Sequence, residues 1–356
     1  MLEALDDALR RCVPKSWKNV GREQRNLVME VGYVSFRRRV YRDENGKRRK
    51  PLDEALKLRP YQRNSPKVEE YAYNIAIDTS YRQVAQWLSA IVKTSINPSS
   101  VGRIVHTTGS KVEVQDSVFL SPEAGQILAH VLYAEADGVW IHLQDKHKPG
   151  RKRAEVKVGI MYTENKAVLT QLGGTSEDEL ADSTYNLAAT QLLVVGGDGA
   201  AWVRQSFDYV GGKQTALLDR FHLVHAVHQA FAKMMDTKAL LEKLTQEGFE
   251  AVEAGLKAEI KGKPERLKVY QYLKNNADSL VAFEISISPR LTFLHLRVIE
   301  GNVDKLVRQR MRGRGMSWSR QGAIAMLALL RHKQELHQHV FPFSQIPKPK
   351  KFRHCA

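Results

Sequence analysis

Hydrophobic positions along the chain gather into two runs, each interrupted by a carboxylate. The first, VLYAEADGVWIHLQ at 131–144, carries Leu132, Tyr133, Val139, Trp140, Ile141 and Leu143. That β-branched and aromatic bulk predicts a strand through a buried sheet, interrupted at Asp137-Gly138. Glu135 and Asp137 share one face of such a strand, because side chains alternate with period two. The second run, QLLVVGGDGAAWV at 191–203, opens on Leu192, Leu193, Val194 and Val195, a short apolar strand of the central kind. Gly196, Gly197 and Gly199 then surround Asp198 and let backbone or an ion approach it closely. Asp137-Gly138 alone also fits a hairpin turn. Two strand-borne acids in the same setting point instead to a shared site for hard cations, which take oxygen ligands.

Elsewhere the period of the pattern changes. Between 25 and 52, Leu27, Met29, Val31 and Tyr33 recur at period two, and Asp43-Glu44-Asn45-Gly46 is a turn signal. A basic β-hairpin is expected there, with Arg37, Arg38 and Arg39 before the turn and Lys47, Arg48, Arg49 and Lys50 after it. It reads either as a solvated charged edge or as a hairpin laid against phosphates. From 65 to 115 the spacing is helical. Ser65-Pro66 opens one helix (Val68, Tyr71, Ala72, Ile75, Ala76), Thr79 or Ser80 caps a second (Val84, Trp87, Leu88, Ile91), and Asn97-Pro98 opens a third. The third carries Val101, Ile104 and Val105 on one face, with Arg103 and His106 elsewhere. Short helices joined by short polar turns resemble a helix-turn-helix.

From 128 to 221 strands dominate. A basic turn at 146–153 leads to strands at 155–163 and 167–172. Ser176 with Glu179 fits a capping box for a helix through about Ala188, and a strand at 215–218 ends in Asp219-Arg220-Phe221-His222. That order suggests a mixed α/β sheet. From 222 to 288 the pattern is helical, with runs at 226–234, 240–256 and 267–280. His222, His225 and His228 drift around the helix at three-residue steps, which argues against a zinc cluster.

Composition narrows the classes. The 356 residues are 43% apolar, enough for two or three domains. Lys and Arg number 55 against 39 Asp and Glu, a net charge of +16 that favours a polyanionic partner, nucleic acid first. Only Cys12 and Cys355 are present, so no disulfide framework or cysteine zinc site is on offer. No apolar run reaches membrane-spanning length and no signal-peptide core opens the chain, so a cytoplasmic location is expected. Lys261-Gly262-Lys263-Pro264 lacks the first glycine and final hydroxyl of a phosphate loop, which argues against a helicase.

Four motifs in order carry a resemblance. Ala136-Asp137-Gly138, Gly197-Asp198-Gly199-Ala200, Asp219-Arg220-Phe221-His222, and a stretch running from Glu300-Gly301-Asn302-Val303 through Arg310-Met311 to Arg314-Gly315-Met316-Ser317-Trp318 are similar to those of DDE-type insertion-sequence transposases. The likeness is nearest to the ISLre family and covers most of the chain, including Gly46-Lys47 and Leu52-Asp53-Glu54. It implies an α/β, RNase H-like mixed sheet with a helical insertion, preceded by the basic hairpin and the helix-turn-helix-like region. The 102-residue step from Asp198 to Glu300, much of it helical in pattern, agrees. The expected organisation is a hairpin region at 1–64, a DNA-binding helical domain at 65–125, a first core part at 126–222, an insertion at 223–290, last core helices at 291–335 and a basic tail at 336–356. The chain opens directly in the helix-like LEALDDALRRC, so part of a recognition domain is expected to be missing ahead of it.

The resemblance also implies that Asp137, Asp198 and Glu300 hold two Mg²⁺ (or Mn²⁺) ions for strand cleavage and strand transfer. Asp219 and His222 would support that site. The implied partner is double-stranded DNA, as transposon ends and target, bound by a homo-oligomer in a bacterial nucleoid. DNA contacts are expected from Arg37, Arg38, Arg39, Lys47, Arg48, Arg49, Arg103, Arg312, Arg314 and Trp318. Trp318 reads as a base-stacking residue or as an anchor of its loop. Val303, Val307 and Met311 follow Glu300 at helical steps, which predicts an inward glutamate, with Glu284 as the rival acid. The alternative is a non-catalytic, domesticated DNA-binding protein, which would have no need of three intact acids.

Overall fold

The computed structural model describes residues 1–116, 123, 125, 127–144, 152–163, 172–174, 185–208, 210–232, 235–280, 298–313 and 315–333. They form a mixed α/β protein with two compact units, one built on residues 1–112 and the other on 113–331.

In the first unit, α1 (Leu2–Leu9) precedes a long hairpin of β1 (Lys18–Met29) and β2 (Gly32–Arg42), to which β3 (Arg48–Arg49) adds a third strand. Met29 pairs with Gly32, so the chain reverses at Glu30-Val31. Gly32 takes φ +110°, a conformation natural only to glycine. The period-two run from Leu27 to Tyr33 is therefore cut in two, and Val31 stands 86% exposed at the tip. The expected Asn45-Gly46 turn joins β2 to β3 instead, with Gly46 at φ +77°. Leu27, Phe36 and Leu52 form the core beneath, closed by Leu2 and Leu9 of α1. After α2 (Pro51–Ala55) come α3 (Pro66–Ala76), α4 (Tyr81–Ile91) and α5 (Pro98–Asp116). Ser65 and Ser80 accept the backbone N–H of Val68 and Gln83, satisfying helix-end donors as the sequence predicts. Val68, Ala72, Val84, Leu88, Val101 and Val105 are among the buried positions of these three helices.

The second unit opens on β4 (Ile127–Leu128) and is organised by a five-stranded sheet. Its members are β5 (Val131–Leu143), β6 (Lys152–Tyr162), β7 (Leu172–Gly174), β9 (Leu192–Gly197) and β10 (Lys213–Leu218), in the order β10-β9-β5-β6-β7. β5, β6 and β7 are antiparallel; β9 and β10 run parallel to β5. Asp137-Gly138 is no turn: Asp137 pairs with Val158 and Gly138 with Lys157 inside an unbroken strand. β8 (Tyr185–Asn186) pairs with β4, so the helix expected through Ala188 does not reach this far. Ser176 and Glu179, most of the basic turn at 146–153 and most of the strand at 167–172 lie outside the described residues. One core gathers Leu132, Ala134, Ala136, Leu193, Val195, Val203 and Phe207, the even-numbered side of β5 against α6 (Ala201–Gln205).

Helices α7 (Arg220–Phe231), α8 (Thr237–Gln246), α9 (Glu250–Glu259) and α10 (Pro264–Asn275) surround a core of Leu223, Val227, Phe231, Leu244, Leu256 and Leu273. The expected helical run at 240–256 is two helices, broken where Gly248 takes φ +86°. Then α11 (Val298–Val303) continues through a π-helical turn, Asp304–Arg308, into α12 (Gln309–Met311), and α13 (Arg320–Arg331) follows. Gln309 donates its N–H to the Asp304 carbonyl five residues back, which defines the π turn. Among the described residues no helix is long and apolar enough to cross a membrane.

Candidate active site

Strand register brings two acids together. β5 and β9 lie parallel with Ala136 opposite Gly197, so Asp137, within β5, comes beside Asp198, which directly follows the end of β9. The Asp137 Oδ1 accepts the Gly138 N–H at 2.7 Å, and the Asp198 Oδ1 accepts the Ala200 N–H at 2.9 Å. Space around both is reserved by glycine. A Cβ on Gly138 would lie 2.3 Å from a Glu155 carboxylate oxygen, and one on Gly199 (φ +86°) 2.6 Å from the Asn276 amide. Burial pushes the Asp137 carboxyl above its ordinary range, with the Asp198 charge adding to that; the Gly138 N–H, His222 and Arg308 pull the other way.

Asp219 and His222 join this edge from the neighbouring strand. The Asp219 N–H donates to the Gly197 carbonyl at 2.8 Å, continuing the β9–β10 pairing. Asp219 then caps α7, its Oδ1 accepting the Phe221 N–H at 2.8 Å while its Oδ2 lies 3.1 Å from His222 Nδ1. That hydrogen bond holds the His222 imidazole above its ordinary pKa, against burial, and the charges of Asp219, Asp137 and Asp198 reinforce it. The other two histidines of the series turn elsewhere: His225 stacks on Phe221, and His228 Nδ1 lies 3.1 Å from the Thr237 hydroxyl.

Helical residues that sequence spacing did not single out hold this edge in place. The Tyr272 hydroxyl, on α10, donates to the Asp198 carbonyl at 3.0 Å. Burial, then the charges of Asp198 and Asp219, raise its pKa. On the opposite face of β5 from the Ala134–Ala136 core, Glu135 is buried. It accepts hydrogen bonds from the Tyr162 hydroxyl and, at 3.2 Å, from the Ile299 N–H at the start of α11. The only signal for Glu135 was its shared face with Asp137.

Glu300 is placed differently from expectation. Its side chain is exposed, and Ile299, Val303, Val307 and Met311 are the buried residues. The π turn adds a residue to the helical repeat, so steps of four stay on one face and Glu300 falls one position off it. Among the described residues, no three His, Cys, Asp or Glu side chains come close enough to hold a metal ion. The pair of carboxylates suits a hard divalent cation, and the donor set stops at those two. Glu284 lies outside the described residues.

The expected DNA-contact residues divide by burial. Arg37, Lys47, Arg48, Arg103 and Arg312 are exposed; Arg314 lies outside the described residues. Arg48 is paired with Glu23, and Arg49 with Glu54 at 3.2 Å. Arg38 is 2% exposed and meets Asp53 at 2.8 Å, while Arg39 bridges Asp6 at 2.8 Å and Asp7 at 2.6 Å. These two guanidiniums therefore face acids of the same unit. Trp318 corrects the stacking expectation: it is buried, its indole N–H donates to the Met311 carbonyl at 3.0 Å, and its backbone N–H bonds to His142 at the end of β5. The Arg310 guanidinium covers its ring at 5.0 Å. The aromatic bulk in a Gly- and Arg-rich loop is thus the anchor of that loop.

Fold and site together define a mixed α/β protein with an acid pair at the edge of a central sheet. The chain belongs to the Uncharacterised protein family (UPF0236), whose model matches residues 1–337. A Streptococcus gallolyticus relative described as "UPF0236 protein in vanSb 3'region" is 26% identical over 254 residues, covering 64% of this chain and 56% of the relative. The match thus spans little more than half the length of that relative. Among solved structures, the Drosophila P element transposase strand transfer complex aligns over 96% of this chain and 87% of that one, with 8% identity and a TM-score of 0.25.

Proposed function

We propose that this chain is a DDE-type transposase that cleaves DNA at transposon ends and joins the freed ends to target DNA. The observation that carries the reading is the β5–β9 register, which sets Asp137 and Asp198 side by side. Three antiparallel strands extended by two parallel ones, with a helical block between β10 and α11, support the RNase H-like core with an insertion that the motifs imply. Asp137 and Asp198 would hold Mg²⁺ or Mn²⁺; Glu300, the third ligand that the motifs imply, is exposed and stands outside that pair. Ions bound there would polarise a phosphodiester and lower the pKa of an attacking water. The chain's own groups do the rest. Asp219 fixes the His222 ring, and the His222 charge lies within reach of both acids. Tyr272 holds the backbone of the Asp198 loop. Exposed Arg37, Lys47 and Arg103 would meet DNA phosphates, and a homo-oligomer would bring two ends together.

The test is incubation of the purified protein with end-bearing duplex DNA and Mg²⁺ or Mn²⁺, followed by mapping of nicks. Asp137→Ala and Asp198→Ala are each expected to lower cleavage by at least about a thousandfold while DNA binding persists. Cleavage near the wild-type rate by either variant would sink the assignment, and DNA binding without cleavage by the wild type would favour the non-catalytic alternative.

A further inference from the structure

An arginine that sequence reading passed over has the placement of a phosphate-gripping group. Arg25, Arg38, Arg49 and Arg331 each bury part of the guanidinium, and each meets a carboxylate: Asp53, Asp53, Glu54 and Glu113 respectively. Arg308 does not. Among the described residues its buried Nε has no hydrogen-bond partner, and no carboxylate lies within ion-pair distance of its guanidinium. It closes the π turn, directly after the buried Val307, on a helix whose first turn is fastened to β5 through Ile299 and Glu135. Its charge is among those that pull the Asp137 carboxyl back down against burial. A half-buried guanidinium with no carboxylate in contact among the described residues is costly, and its planar fork matches two oxygens of a phosphate.

We infer that Arg308 is a catalytic residue that grips the non-bridging oxygens of the scissile phosphate beside Asp137. This rests on the transposase reading above. In cleavage the water oxygen bonds to phosphorus as the P–O3′ bond breaks. The water gives up a proton to solvent, and the leaving 3′-oxygen takes one up. Negative charge grows on the non-bridging oxygens meanwhile, and Arg308 meets it with N–H donors while transferring no proton. Preorganised donors of this kind act more strongly in the transition state than in the ground state.

The experiment compares single-turnover cleavage of end-bearing DNA by wild type, Arg308→Ala and Arg308→Lys, with DNA affinity and melting temperature measured alongside. Arg308→Ala is expected to cut about 10²–10³-fold more slowly with affinity and melting unchanged. Arg308→Lys should keep part of the rate, and millimolar guanidinium should restore about tenfold to the alanine variant. Cleavage by Arg308→Ala within about threefold of wild type overturns the inference. So does a loss that tracks DNA affinity or melting, or one that neither lysine nor guanidinium relieves, since either marks a packing role. Failure of the underlying reading looks different: wild type would not cleave at all, or Asp137→Ala would cleave equally well.

Discussion

In the unit built on residues 1–112, Arg38 meets Asp53, Arg39 meets Asp6 and Asp7, and Arg48 and Lys50 meet Glu23. In the unit built on 113–331, Asp137 stands beside Asp198, Asp219 lies one strand over, and Arg308 has no carboxylate partner among the described residues. The first arrangement cancels charge internally and fastens a hairpin to its helices. The second leaves like charges adjacent, at a cost in stability, which is how a site for an outside charge is built. An arginine-rich stretch is therefore not a phosphate surface by composition alone. Where each guanidinium finds its counter-charge decides.

That contrast can be broken most sharply at Asp53. Asp53→Ala removes the 2.8 Å partner of the buried Arg38, leaving it Glu23 at 3.9 Å, and is expected to cost about 3–5 kcal/mol, read as an earlier melting transition with the second unit's secondary structure retained. A loss below about 1 kcal/mol would show that the first unit does not depend on its internal pairs. A smaller effect separates the exposed from the engaged cations. Replacing Arg37 or Lys47 with Gln should each reduce the log–log salt slope of DNA binding by roughly 0.9, and Arg38→Gln should leave the slope unchanged while lowering stability. Equal slope changes for all three would place Arg38 at the phosphates after all.

Within the second unit, Tyr272→Phe removes one hydrogen bond from the Asp198 loop. It should slow cleavage by a factor corresponding to about 0.5–1.5 kcal/mol, with DNA affinity intact. An unchanged rate would mean that the loop holds its shape unaided. The mildest change is at Asp219. Asp219→Asn is expected to move the His222 titration, followed by NMR, downward from its raised position. In the wild type that raised value means the pair steadies the fold below the ordinary histidine range, and the contribution fades as pH climbs through the His222 value. In Asp219→Asn this pH-dependent contribution should shrink in melting curves, and a His222 titration left in place would assign the shift to Asp137 and Asp198 instead.

Much of this geometry was legible in the sequence, and for identifiable reasons. β5 and β9 announce themselves because apolar bulk and glycine flank their acids, and strand alternation needs no tertiary information. The caps at Ser65 and Ser80 and the Asn45-Gly46 turn are local chemistry. The reversal at Glu30-Val31 was hidden, because an apolar valine at a hairpin tip continues the alternation that it ends. Tyr272 and Arg308 reach the acid edge across more than seventy residues of intervening chain in each case, and no spacing rule records such a meeting. Trp318 read as exposed because its sequence neighbours are Gly and Arg, whereas its hydrogen-bond partners, the Met311 and His142 carbonyls, come from a helix and a strand end.

The π turn at Asp304–Arg308 has a consequence for how the chain can change in length. A π turn is an α-helix carrying one residue too many, so deleting a single residue within it would leave an ordinary helix with Ile299 and Met311 still seated where they are. The same deletion in the middle of α13, where Ala323, Met326, Leu327 and Leu330 are buried on a regular helix, would swing every following side chain by about 100°. Single-residue deletions between Val303 and Val307 should thus leave the fold intact while those in α13 unfold it, and a deletion scan read by melting temperature across the two segments would show that asymmetry directly.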